Sequence, residues 1–189
     1  MPVRADVYRQ QVHDEALVAA EAMLVADGWD KLRFGDVAVA IGVSRPTLYA
    51  SFANKEALGE ALVRRETERF LLGIRGVLNS HPDPAVAIRE ATAFTLAEAD
   101  RSPVLKAVLT SSHDGLLPFL TTRSRPLLDA ASAMLAEWCR AAVPTASPAD
   151  VADGVDALVR LVVSHLVLPA EDATGLADKL ARVALAYLA

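Results

Sequence analysis

Two side chains suited to reading a nucleic-acid base, Arg45 and Thr47, stand two residues apart. An arginine fork holds guanine O6 and N7 together, and a threonine bonds a base edge or touches a thymine methyl. They head a segment in which Leu48 and Phe52 are four apart, so both readers point away from the face those two share. No other cluster offers comparable chemistry. Residues 111–114, Ser-Ser-His-Asp, contain the residue types of a hydrolytic triad. A triad draws its side chains from separate elements, however, and sequence neighbours cannot take up its geometry. There is no Gly-rich phosphate loop and no HExxH, and His13, His81, His113 and His165 are scattered. Cys139 is the single cysteine, which excludes a cysteine metal cluster and an intrachain disulfide. Beside Trp138 it reads as a small buried apolar residue. No enzyme, no cofactor and no metal is expected.

The readers must be positioned by residues 34–58. Val37, Ala38 and Ile41 recur at three- and four-residue spacing and share one helical face, and Leu48 and Phe52 face the same core. Gly42 stands where a helix end favours positive φ. Ser44 can accept from the free N–H groups of the next turn, and Pro46 lies in that turn, where a missing N–H costs nothing. Two short helices joined by a tight turn make a helix-turn-helix, whose second helix lies in the DNA major groove. Asn54 caps a third helix, with Glu56 in its first turn.

The phrase Gly42-Val43-Ser44-Arg45-Pro46-Thr47-Leu48-Tyr49, then Phe52, then Asn54-Lys55-Glu56-Ala57-Leu58, resembles the DNA-binding domain of TetR-type transcriptional repressors. The resemblance covers roughly residues 7–62, and turn, recognition helix, Tyr, Phe and the Lys-Glu opening all occur at the family's spacing. Residues 114–123 and 164–169 are similar to a subgroup common in actinobacterial regulators. The resemblance implies a homodimer that binds a palindromic operator in double-stranded DNA and is released by a small, lipophilic effector. It implies that Tyr49 and Lys55 contact phosphate, helped by the N-terminus of the next helix, and that Ser44 and Pro46 belong to the same DNA-facing set. Ala50 and Ser51 depart from many relatives, which carry larger polar residues there. Base readout at that edge is therefore expected to be weak, leaving Arg45, Thr47 and DNA shape to set preference.

Composition bounds the rest. Of 189 residues, 53% are hydrophobic and only 5% aromatic, so the core must be aliphatic and helix-favouring. The net charge is −5, and residues 1–70 hold nine Lys/Arg against eleven Asp/Glu. DNA affinity must then come from local placement of a few cations. The first residues lack an apolar run, and the longest apolar stretch, 158–168, is interrupted by Arg160 and His165. No signal peptide and no membrane partner is expected, and a soluble, cytoplasmic protein is.

The expected fold is all-α, with a three-helix DNA-binding domain over residues 1–54 and a larger helical effector-binding and dimerisation domain over 55–189. Helix one runs 5–27, with Val12, Ala16, Ala20, Met23 and Leu24 on one stripe and Gly28 ending it. Trp29 and Leu32 plug the small domain's core. A helix over 55–79, roughly 36 Å long, carries Leu58, Leu62, Phe70, Ile74 and Leu78. His81-Pro82-Asp83-Pro84 breaks the chain, and helices follow over 85–99 and 126–142.

By resemblance, an effector pocket lies between the long helix and the helices after Pro84 and Pro126. Its candidate lining is Ile74, Phe94, Val108, Phe119, Leu120, Met134 and Trp138, with His113 or Arg123 as polar anchors. Such a lining suits a lipophilic molecule, and the same residues serve equally as plain core. The last two helices carry broad apolar stripes. Val155, Leu158, Val162, Leu166, Leu180, Val183 and Tyr187 are expected to meet a second subunit in a four-helix bundle, unless both stripes face inward within one chain. The acidic N-terminal segment keeps a second reading open, a helical small-molecule-binding protein without DNA function.

Overall fold

The computed structural model describes residues 2–104, 125–169 and 174–189. These residues form helices and turns, with no strand among them. In order the helices are α1 (Pro2–Asp27), α2 (Phe34–Ala40), α3 (Arg45–Ser51), α4 (Lys55–Asn79), α5 (Pro84–Arg101), α6 (Arg125–Ala142), α7 (Pro148–Val167) and α8 (Leu176–Leu188). Two compact units result, and the division falls within α4. One unit takes the chain through Glu66, with Pro103 and Val104; the other takes Thr67–Ser102 and the described residues from Arg125. The boundary lies beyond the expected 54/55 because the first turns of α4 are part of the small domain's core. Leu58, Ala61 and Leu62 are buried there, and Arg65 donates to the Leu17 carbonyl at 3.2 Å and pairs with Glu21.

In the first unit α1 buries Val12, Ala16, Leu17, Ala20 and Leu24 and packs on α2 and α3. Met23, expected on that stripe, is half-buried, and Leu17 fills the inward position instead. Gly28 ends α1 at φ 83, and Trp29 and Leu32 plug the core as expected. His13 stacks on Phe52 at 4.7 Å between ring centroids.

The second unit has two apolar clusters. Ile74 and Leu78 of α4, Ala87 and Ala91 of α5 and Met134 of α6 form one. Ile88, Cys139 and the inner faces of α7 and α8 form the other. Asp83 caps α5 by accepting from Ala85 at 2.8 Å, and Ser147 caps α7 by accepting from Asp150 at 3.1 Å. The buried hydroxyls of Thr92 and Thr95 donate to the carbonyls of Ile88 and Ala91, each at 2.7 Å, so neither is left unsatisfied.

The apolar stripes of the last two helices divide between inner and outer positions. Val155, Leu158, Val162 and Leu180 are buried within the single chain, packed among α5, α6, α7 and α8. Of the residues expected at a subunit interface, Val183 and Tyr187 stay exposed, at 37% and 42%, and Leu166 is half-buried. The stripe on α7 is broad because it covers neighbours on two sides. Periodicity registers that breadth without saying whose residues cover it.

Candidate nucleic-acid interface

The turn before α3 is built from backbone bonds that only this sequence of conformations allows. Gly42, at φ 69, donates to the Val39 carbonyl at 3.2 Å, and Val43 donates to Ala38 at 3.0 Å. That is the paired closure of a Schellman motif, which satisfies the last carbonyls of α2. The chain then straightens at Ser44, φ −71 and ψ 151. The Ser44 Oγ accepts from the Thr47 N–H at 3.2 Å, and the two hydroxyls lie 2.7 Å apart. Pro46 occupies the first turn, and α3 ends where Phe52 turns to φ −138. Asn54 Oδ1 accepts from Ala57 at 2.8 Å and starts α4.

These local devices orient α3. Leu48 is fully buried and Phe52 nearly so, while Ser44, Arg45, Pro46 and Tyr49 are exposed and Thr47 is half-buried. Five of the six expected DNA-facing residues therefore lie on one connected surface. The sixth, Lys55, is engaged elsewhere. Its Nζ donates to the Trp29 carbonyl at 2.7 Å and stands 4.8 Å above the Trp29 ring. Burial pushes this ammonium below the usual lysine range, while Asp30 and Glu56 pull the other way.

The surface also includes residues that spacing does not single out. Arg33, Phe34, Gly35 and Asp36, at the start of α2, join Arg45 and Tyr49 around an open cleft of about 170 Å³. The Phe34 and Tyr49 rings lie 4.9 Å apart, tilted by 58°. The signal for this grouping is tertiary. Only the packing of α2 against α3 brings the two helix starts together.

In the second unit, Ile74, Phe94, Met134 and Trp138 fall in or against one apolar cluster between α4, α5 and α6. Ile74 and Met134 are buried; Phe94 and Trp138 are half-buried. A side chain at Gly73 would begin 2.7 Å from the Phe94 ring, so that ring lies directly on the α4 backbone. Val108, His113, Phe119, Leu120 and Arg123 lie outside the described residues, as does the 114–123 stretch. Among the described residues no group of three or more His, Cys, Asp and Glu is placed to hold a metal ion, and no helix is long and apolar enough to cross a membrane.

Comparison with known proteins agrees with this geometry. Residues 16–62 match the family described as bacterial regulatory proteins, tetR family. Residues 83–186, more than half of the chain, match the C-terminal domain of the bacterial tetracycline repressor. The chain belongs to the TetR family. Like other TetR-family proteins, it is a transcriptional regulator and not an enzyme. It is 28% identical over 181 residues to the HTH-type transcriptional regulator AlkX of Mycobacterium tuberculosis, covering 95% of this chain and 86% of that one. A crystal structure of the TetR family repressor AlkX from Dietzia sp. strain DQ12-45-1b, implicated in biodegradation of n-alkanes, superposes with a TM-score of 0.76. It is 28% identical and covers 92% of this chain and 96% of its own. A shorter match, 29% over 83 residues, links the chain to the HTH-type transcriptional activator FasR of Mycolicibacterium smegmatis, covering 44% of this chain and 38% of that one. The all-helical architecture and the actinobacterial likeness expected from sequence are thus those of these TetR-family proteins.

Proposed function

We propose that this regulator is a repressor that binds a palindromic operator as a homodimer and leaves it when a small lipophilic effector binds. The observation that carries the reading is the disposition of α3. It buries Leu48 and keeps Arg45, Pro46 and Tyr49 in solvent at the end of a closed two-helix turn. In this reading Arg45 selects bases, Thr47 supports it from a hydroxyl pair shared with Ser44, and Tyr49 meets phosphate. In this reading Lys55, although one of its three N–H groups bonds the Trp29 carbonyl, also meets the DNA backbone. Its first duty is to tie the start of α4 to the turn after α1.

The apolar set of Ile74, Phe94, Met134 and Trp138 supports a lipophilic effector. The implication of the Dietzia relative in biodegradation of n-alkanes favours an unbranched alkyl chain over an aromatic or sugar-like molecule. Val183, Tyr187 and Leu166 are the residues left for a second subunit. Coupling need not be large: a hundredfold loss of DNA affinity requires about 2.7 kcal/mol.

The test is anisotropy of a labelled duplex from the region upstream of the protein's own gene, titrated from low to high salt. A steep fall of affinity with salt, a dimer-sized complex by sedimentation, and release by alkanes or fatty acids of graded length are the expected results. Alkyl-chain binding without DNA binding at low salt would replace this reading with that of a helical carrier. A promoter-reporter assay separates repression from activation.

A further inference from the structure

We infer that Gly35 is a positioning residue for base reading, and that it acts through Arg45. The inference rests on the DNA-binding reading above. A Cβ built at Gly35 would meet three atoms of one guanidinium: Nη2 at 2.9 Å, Cζ at 3.1 Å and Nε at 3.1 Å. Three members of a planar group at nearly one distance mean that the plane lies face-on to Gly35. The Arg45 side chain is therefore folded flat across the start of α2. Phe34 and Tyr49 flank the same cleft, with Arg33 and Asp36 at its edge. A long, exposed side chain is seated on a neighbouring backbone, and the seat exists only because residue 35 has no side chain.

This seat matters because an arginine held in one rotamer has less freedom to lose when it meets a base, whereas a free one must be ordered on contact. Gly35 has no need of its special backbone freedom for any other reason. Its φ is not positive, unlike those of Gly28, Gly42 and Gly175. The three nearest atoms to the added Cβ all belong to the far end of a flexible side chain, so alanine fits once Arg45 swings away. Alanine also favours helix over glycine. A variant at this position therefore separates folding from reading. Stability holds or rises while base preference falls.

The experiment uses the full chain and a duplex recovered by the wild-type protein from a randomised DNA pool, with a scrambled duplex as reference. Affinities are measured for wild type, Gly35→Ala, Arg45→Ala and the double variant, alongside their melting temperatures. Gly35→Ala is expected to lose roughly tenfold in preference for the recovered duplex, with binding to the scrambled one unchanged and the melting temperature no lower. The double variant is expected to match Arg45→Ala alone, because a seat has no effect without its occupant. Unchanged or improved preference in Gly35→Ala, or losses that add in the double variant, would overturn the inference and leave the DNA-binding reading intact. A wild-type protein that enriches no duplex from the pool overturns that reading, and this inference with it.

Discussion

α3 and α8 are both short helices with one apolar side, yet they are held by opposite means. α3 has seven residues, buries only Leu48 and is fixed by the Schellman closure at Gly42 and the Ser44 cap. α8 has thirteen residues and follows Gly175, φ 65, without a side-chain cap, but it buries Leu180, Ala181, Ala184 and Leu188. Local hydrogen bonding spares side chains for outside work, and packing consumes them. α3 is thus mostly free surface on a small anchor, whereas α8 spends four side chains on its core and keeps Val183, Ala186, Tyr187 and a few polar residues outside. In the proposed function the same contrast divides the work: the capped turn meets DNA, and what the packed stripe leaves outside meets a second subunit.

The hardest blow to this contrast is Leu48→Ala. Removing the single anchor of α3 is expected to cost about 2–5 kcal/mol in chemical denaturation. A loss below about 1 kcal/mol would mean that the caps alone hold the helix. Arg45→Ala comes next, with about 1–3 kcal/mol of lost base preference in competition binding and an unchanged melting temperature. Lys55→Ala should weaken all DNA alike and also lower the melting temperature, since it removes the bond to Trp29. Equal melting temperatures for these two variants would show that the Lys55 tie carries no stability. Gly42→Ala is expected to cost about 1–2 kcal/mol through its left-handed conformation alone, since an added Cβ meets nothing within 4 Å. For α8 the matching variants are Val183→Ser and Tyr187→Ser. They should change subunit stability by less than about 0.5 kcal/mol each while shifting the monomer–dimer balance in sedimentation. The smallest effect concerns Cys139. Burial pushes its thiol up to about 11, so a disulfide reagent at pH 8 should label it only as the protein unfolds.

Local rules made the reading unit legible in sequence. The bounds of α4, the positive φ of Gly42, the Ser44 cap and the inward Leu48 all follow from residues within a turn or two of one another. Contacts between distant residues were not legible. Nothing near Lys55 indicates that a carbonyl twenty-six positions earlier accepts its hydrogen bond, or that Arg65 pairs with Glu21. Likewise the α2 start, Arg33 to Asp36, joins Arg45 only through the crossing of two helices. The apolar stripes of α7 and α8 were visible, but a stripe records hydrophobicity and not ownership. Four of its residues turned out to serve their own chain.

The capping of α3 sets the manner in which this surface can hold a sugar–phosphate chain. Pro46 has no amide proton, the one on Thr47 goes to the Ser44 hydroxyl, and the one on Leu48 goes to the Ser44 carbonyl at 3.1 Å. Of the first four residues of α3, only Arg45 keeps a backbone N–H that the turn does not use. In the proposed DNA-binding role, a strand seated there would meet one peptide donor and several flexible arms, so most of the contact could loosen gradually and slide.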